Sequence, residues 1–188
     1  VWIGGQGLGG ASRVVHFDGH VWSTTYSLES YPIHAIWGAT AKRVYALTES
    51  NVWHAPIQRW DGAQWVNAIK PGVGAPRLRD LWGPKDGSVV WAVGSRGTIV
   101  RFTPMAGEAT LTQEVAASPS SLVNPFAQEN DYIGIWGSAA NDVWAMYFAS
   151  ANGFGFSHWD GVAWTVVSTL PSPCPASLPE GPLGRGRL

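Results

Sequence analysis

The sequence has few features that could hold a fold together other than its own packing. Its 188 residues include one cysteine, Cys174. A single cysteine cannot form an internal disulfide or a cysteine-based zinc site, so we expect a hydrophobic core to supply the stability. No apolar run approaches the 18 residues of a membrane span, and no signal-peptide pattern occurs. We therefore expect no membrane insertion, and any export signal would precede Val1.

Charge is also scarce and balanced. Charged residues make up 13% of the chain, with 12 Lys and Arg against 13 Asp and Glu. Binding to a phosphate backbone requires a basic surface, so this balance argues against nucleic acid as a partner. The 45% hydrophobic content and the 12 tryptophans indicate a folded protein despite many glycines and prolines.

A three-part motif recurs along the chain at a spacing of 45 and then 54 residues. The first part is a Trp-Gly pair, at Trp37-Gly38, Trp82-Gly83 and Trp136-Gly137. The second is Val followed by an aromatic residue, at Val1-Trp2, Val44-Tyr45, Val90-Trp91 and Val143-Trp144. The third is an Asp-Gly turn followed by Trp, at Asp18-Gly19 with Trp22, Asp61-Gly62 with Trp65, and Asp160-Gly161 with Trp164. Asp-Gly is a strong hairpin signal, so the repeat unit is predicted to be an antiparallel sheet.

The alternating runs between these anchors predict four strands, A to D, in each unit. Predicted A strands lie near 33–37, 78–82 and 132–136, and B strands near 1–4, 43–47, 89–93 and 142–147. Predicted C strands lie near 13–17, 56–60, 98–102 and 154–159, and D strands near 21–25, 64–69, 109–116 and 163–168. The fold class is therefore all-β, and the period is that of the blades of a β-propeller. About four blades are predicted, the first without its A strand.

These motifs resemble those of bacterial tandem-repeat β-propellers, whose repeat combines Trp-Gly, Asp-Val-Trp-Ala, Gly-Thr-Ile and His-Trp-Asp-Gly. The resemblance covers residues 1–171, which divide into predicted blades at 1–30, 31–73, 74–121 and 130–171. It implies an extracellular or cell-surface protein that binds or scaffolds. Residues 172–188 form a Pro-rich tail that cannot supply a central strand. The open edge at residues 1–4 is therefore expected to meet further blades or to self-associate.

The recurring polar residues of the motif are interpreted as structural. Asp18, Asp61 and Asp160 recur beside Gly, which is typical of turns. His16 and His158 stand where other units carry Arg, so a long polar side chain is expected there and not a metal site. Gly5-x-Gly7-x-x-Gly10 leads into a predicted strand and not a helix, so it is interpreted as a loop rather than a dinucleotide site. No cofactor or metal is expected.

Function is therefore sought in residues outside the repeat. The B–C and D–A loops are the long ones, and they lie on one face of a propeller, which is commonly the binding face. The leading hypothesis is a non-catalytic module that binds a glycan or protein there, through Trp53, His54, Tyr147, Phe148 and Phe154. The alternative is a hydrolase or lyase at the central channel, using Glu49, Arg79, Glu129 and Asp131. A structural spacer without a ligand is a third possibility.

The repeat also predicts which tryptophans form the core. Trp37, Trp82 and Trp136 are expected at equivalent buried positions on inner A strands, and Trp22, Trp65 and Trp164 on outer D strands. Removing Trp136 should accordingly destabilise the fold.

Overall fold

A computed structural model describes residues 1–6, 11–29, 32–48, 56–69, 77–104, 112–114, 131–149 and 153–167. The described residues form fifteen β-strands and no helix. All pairings are antiparallel, and the strands make one three-stranded and three four-stranded sheets. The all-β class and the sheet composition predicted from the repeat are confirmed.

The strands follow one another in sheet order along the chain. The first sheet contains β1 (Trp2–Gln6), β2 (Ala11–Phe17) and β3 (Trp22–Glu29). The second contains β4 (Ile33–Thr40), β5 (Arg43–Thr48), β6 (Ile57–Trp60) and β7 (Trp65–Asn67). The third contains β8 (Leu78–Trp82), β9 (Val90–Gly94), β10 (Ile99–Phe102) and β11 (Thr112–Glu114). The fourth contains β12 (Asp131–Ala139), β13 (Asp142–Ala149), β14 (Gly153–Trp159) and β15 (Trp164–Val167).

The Asp-Gly turns join the last two strands of three sheets by the same hydrogen bonds. In the second sheet, Asp61 Oδ1 accepts from the backbone N–H of Ala63 at 2.8 Å and of Gln64 at 2.9 Å. These bonds hold the pKa of Asp61 below its usual value. Gly62 takes a φ of +108°, which a residue with a Cβ rarely adopts. The interpretation of the recurring Asp as a turn residue is confirmed, since Asp18 and Asp160 make equivalent bonds.

Neighbouring sheets pack in series, and each contact buries one core. β1 contacts β4, β4 contacts β8, and β8 contacts β12. We call the face of a sheet that carries its B-strand aromatic residue the leading face, and the opposite face the trailing face. In the first three sheets the leading face is turned toward the following sheet. The three cores lie between consecutive sheets and are centred on Val14 with Ala46, on Tyr45 with Val100, and on Trp91 with Tyr132. Because successive side chains of a strand point to opposite faces, each inner sheet contributes side chains to two different cores.

An aromatic residue from the B strand is the centre of each interface. Trp2, on the leading face of the first sheet, has its ring centroid 5.3 Å from Trp60 and 5.8 Å from Trp65 of the second sheet. Trp91 makes the same pair of contacts in the fourth sheet, at 5.2 Å from Trp159 and 5.4 Å from Trp164. Edge and tilted contacts of this kind add to the stabilisation from burial.

The Trp-Gly pair is also a contact between sheets. A Cβ built on Gly83 would lie 2.8 Å from Cη2 of Trp37, and one on Gly137 would lie 2.6 Å from Cη2 of Trp82. Trp37 and Trp82 thus each pack on the glycine of the Trp-Gly pair in the following sheet. Only glycine leaves room for the indole at this position.

The prediction of a uniform tryptophan core is wrong at both ends of the series. Trp136 is 62% exposed, because it lies on the leading face of the fourth sheet, which none of the described residues covers. Trp22 is 53% exposed for the same reason on the trailing face of the first sheet. Its equivalent Trp164, which has a preceding sheet to pack against, is only 4% exposed.

The Trp-Gly contact predicts that Gly83→Ala destabilises the fold. The new methyl group would meet Trp37 and would lie 2.5 Å from the Val89 carbonyl oxygen, which cannot move freely. We expect a loss of about 1–3 kcal/mol in the free energy of unfolding, measured by urea titration. The control is Gly5→Ala, whose Cβ would meet no atom within 4 Å. Equal stability of the two variants would contradict the packing described here.

Trp164 packs against a preceding sheet and Trp22 does not, so replacing these equivalent tryptophans by alanine should lower the free energy of unfolding by unequal amounts. Trp164→Ala should lower the free energy of unfolding by about 3–5 kcal/mol, as for other buried tryptophans. Trp22→Ala should lower it by about 1 kcal/mol or less, because half of that side chain is already in water. Thermal unfolding at low protein concentration, followed by circular dichroism, distinguishes the two, and similar shifts in Tm would refute the assignment.

Candidate functional site

The structure brings together two of the five residues predicted to bind a ligand. Phe148 and Phe154 are register partners on β13 and β14, and both side chains are exposed. Their ring centroids are 5.4 Å apart in an edge-to-face arrangement. Trp53 and His54 lie outside the described residues. The aromatic pair is thus an apolar patch at one end of the fourth sheet.

Tyr147 lies on the opposite face of the same strand. Its side chain is buried, and its ring centroid is 5.6 Å from that of Tyr132. Tyr132 shares a 2.8 Å hydrogen bond with the hydroxyl of Ser157, and burial raises the pKa of Tyr132 to about 12. Tyr147 is therefore a core residue of the fourth sheet, while its assignment to a ligand stays a prediction.

The residues of the catalytic alternative form a structural contact. Arg79 donates to Asp131 Oδ2 at 2.7 Å, and the backbone N–H of Arg96 donates to Asp131 Oδ1 at 3.1 Å. Both oxygens of this carboxylate are thus occupied, and the contact fixes the start of β12 on the third sheet. Glu49 and Glu129 lie outside the described residues.

Asp80 is a half-buried carboxylate that lies outside every motif of the repeat. It lies on β8, where Oδ1 accepts from the backbone N–H of Leu81 and Oδ2 from that of Ile135, both at 2.9 Å. Burial raises the pKa of Asp80, and these hydrogen bonds oppose that rise. The side chain therefore ties the inner strands of the third and fourth sheets together.

A cavity of about 540 Å³ opens between the third and fourth sheets. Its aromatic lining includes Trp91, Phe102 and Trp159, and the guanidinium carbon of Arg101 lies 5.6 Å from the rings of Trp91 and Trp159. Its polar lining includes Ser88, Thr103 and Asn141. Trp91 is 1% exposed, and its Nε1 has no hydrogen-bond partner among the described residues. Because Trp91 and Trp159 are both buried, little of either indole is accessible from the cavity, and Nε1 of Trp91 is closed off from it.

A second cavity, of about 360 Å³, occupies the corresponding place between the first and second sheets. Trp2 lines it in place of Trp91, and His16 in place of Arg101, with their rings stacked at 4.1 Å. Both cavities also include the turn between the A and B strands of the following sheet, through Ala41 and Ala140. They therefore lie on the side of the short turns and not on the long-loop face predicted to bind a ligand.

The described ranges contain neither a metal-binding cluster nor a membrane-spanning helix. No group of three or more His, Cys, Asp or Glu side chains there could hold a metal ion. Nor do these ranges contain a long apolar helix of the kind that spans a bilayer.

Comparison with known proteins finds no match among sequences and a match of low similarity among solved structures. No protein-family model and no curated protein sequence matches the chain. Among solved structures, it is similar to a mutant of Aleuria aurantia lectin in complex with alpha-methyl-L-fucoside, at 19% identity and a TM-score of 0.46. The match covers 93% of this chain and 60% of the lectin chain, so this chain spans less than two thirds of that protein. Similarity at this level does not identify a ligand.

The environment of Asp80 predicts a pH dependence of stability. Because its folded pKa is raised above 3.8, the folded state retains a proton that the unfolded state loses first. The stability of the wild type relative to Asp80→Asn should therefore fall as the pH rises above 3.8 through the raised pKa. Urea unfolding at several pH values between about 3 and 7 measures this difference.

Asp86 provides a control of opposite sign. The backbone N–H of Ser88 lowers its pKa, so its contribution is present above 3.8 and is lost as the pH falls through the lowered pKa. Relative to Asp86→Asn, the wild type should gain stability as the pH rises in this acidic range. The same slope for both comparisons would disprove the role given to Asp80.

Proposed function

We propose that this chain is a non-catalytic carbohydrate-binding module, and that its ligand site is the cavity between the third and fourth sheets. The observation that carries the proposal is the juxtaposition of Trp91 and Trp159 with the guanidinium of Arg101 in one cavity. Its volume of about 540 Å³ falls within the range of small-molecule sites.

The lining suits the chemistry of a sugar. A sugar has hydroxyl groups that both donate and accept hydrogen bonds, so polar side chains at a cavity can hold it. Arg101 and Asn141 supply donors at the cavity, and Asn141 also supplies an acceptor.

The cavity between the first and second sheets is proposed as a second, smaller site. Trp2, His16 and Thr40 line it, so it offers the same pairing of an indole with polar groups. Two sites on one chain would favour ligands that repeat, such as branched or polymeric glycans, because the second binding event is intramolecular.

We infer that the four sheets are blades of a β-propeller, the first lacking its inner strand. The series of contacts from β1 to β4, β8 and β12 supports this arrangement. The blade boundaries, the kinship with bacterial tandem-repeat propellers and the extracellular or cell-surface location stay predictions. Protein binding through the exposed Phe148 and Phe154 is the second candidate function, and their exposure supports it.

A glycan array followed by calorimetry with a bound sugar tests the proposal. Asn141→Ala should weaken binding by about tenfold, the effect of losing one hydrogen bond to the ligand. Asn141 is an exposed turn residue, so its removal should leave Tm unchanged. The matched control is Lys42→Ala, an exposed residue at the same turn position of the second sheet that lines neither cavity.

Three results would count against the proposal. Binding unaffected by Asn141→Ala but lost in Phe154→Ala would move the ligand to the exposed aromatic pair. Release of reducing sugar from a bound glycan would favour the hydrolase alternative. A wild-type chain that binds no glycan on the array would leave protein binding as the remaining candidate.

A further inference from the structure

The cavity between the third and fourth sheets has a charged lining of one sign. Of the described residues that line it, Arg101 alone carries a charge. The other polar lining residues, Ser88, Thr103 and Asn141, are neutral. No carboxylate of the described ranges is part of the lining, so the described wall of the cavity has a net positive charge.

Two buried indoles hold the guanidinium of Arg101 at this position. Arg101 and Trp91 are register partners on β10 and β9, whereas Trp159 belongs to β14 of the fourth sheet. The guanidinium carbon lies 5.6 Å from both rings, a distance at which an indole attracts a cation. The Arg101 side chain is half-buried, so its charge is less screened than that of a fully exposed residue. The indoles therefore position the cation, and the polar side chains present it to a ligand.

The carboxylates that adjoin the lining residues in the sequence have hydrogen-bond partners of their own. Asp86 and Asp160 accept hydrogen bonds of 2.8 or 2.9 Å from backbone N–H groups of their own turns. Asp142 bonds His158 Nε2 at 2.7 Å, on the face of the fourth sheet that is turned away from the cavity. None of these three carboxylates lines the cavity, so the charge that a ligand meets there is that of Arg101.

The hydrogen-bonding groups of the lining favour a ligand that accepts. A guanidinium only donates hydrogen bonds, the Asn141 amide donates through its nitrogen, and the Thr103 hydroxyl also has a proton to donate. An ionised carboxylate only accepts, and its two oxygens match the fork of N–H groups on a guanidinium. Hydrogen bonds between two such ions are about twice as strong as those between neutral groups. A carboxylate therefore complements this lining in both charge and hydrogen bonding.

We propose that the cavity between the third and fourth sheets selects acidic sugars, with Arg101 binding the carboxylate of the sugar. This inference rests on the proposed function of the cavity and adds to it the charge of the ligand. The preference belongs to the larger cavity. In the smaller one, His16 takes the place of Arg101, and an imidazole carries a charge only when it is protonated.

Pairs of ligands that differ in charge alone test this proposal on the whole chain. A glycan array would carry oligogalacturonates, oligoglucuronates and sialylated oligosaccharides, each beside its methyl ester, together with neutral and sulfated glycans. Calorimetry then measures the dissociation constants of a bound acid and its ester. We expect the ester to bind at least about tenfold more weakly, because it lacks the charge-assisted hydrogen bonds. Added salt should weaken binding of the acid and leave binding of the ester unchanged.

Variants of Arg101 test its role in the same titrations. Arg101→Gln should weaken binding of the acid by about tenfold or more and leave binding of the ester unchanged. Arg101→Lys keeps the charge but not the fork of donors, so its affinity for the acid should be intermediate. The matched control is Arg13→Gln, which removes the same charge from an exposed position of β2 that lines neither cavity. Circular dichroism establishes that each variant is folded at the temperature of the titration.

The possible failures separate this inference from the function on which it rests. Equal binding of acid and ester, with both weakened by Asn141→Ala, would overturn the charge preference and leave the carbohydrate-binding function in place. Binding of sulfated but not carboxylated glycans would also overturn it. Equal losses in Arg101→Gln and Arg13→Gln would show an effect of net charge alone and overturn the role of Arg101. A chain that binds no glycan would overturn both proposals.

Discussion

The packing of a B-strand aromatic side chain of one sheet against one or two aromatics of the next is the contact on which the rest of this structure depends. Each sheet has only three or four strands and carries apolar residues on both faces. A sheet of this size is at best marginally stable alone. Stability therefore resides in the interfaces. Trp91 of the third sheet is an example, because its side chain is almost fully buried among residues of the fourth sheet.

The same insertion creates the candidate binding cavities. The inserted indole is backed by a cationic or imidazole side chain from the C strand, as Arg101 backs Trp91 and His16 backs Trp2. These polar groups sit beside the core, where the short turn of the following sheet leaves a gap. A site with apolar and polar walls thus arises from packing that the fold requires. Changes at the exposed turn would alter the lining of such a cavity without loss of the core.

Most of the fold could be predicted from the sequence because its signals are local and repeated. Asp-Gly turns and alternating runs locate the strands to within a few residues, as for β14, predicted near 154–159 and observed over Gly153–Trp159. The exposure of Trp136 could not be predicted, since a repeat defines equivalent positions and not which interfaces are occupied. The role of Asp80 could not be predicted either, because its partner Ile135 is 55 residues away in sequence and contributes only a backbone N–H.

The two cavities depend on a turn that only the four-stranded sheets provide. Each cavity needs an inserted indole and also the turn between the A and B strands of the receiving sheet, which carries Ala41 or Ala140. The first sheet has three strands, and its described residues include no such turn. An aromatic side chain packed on the trailing face of the first sheet would therefore bury apolar surface without making a cavity of this kind.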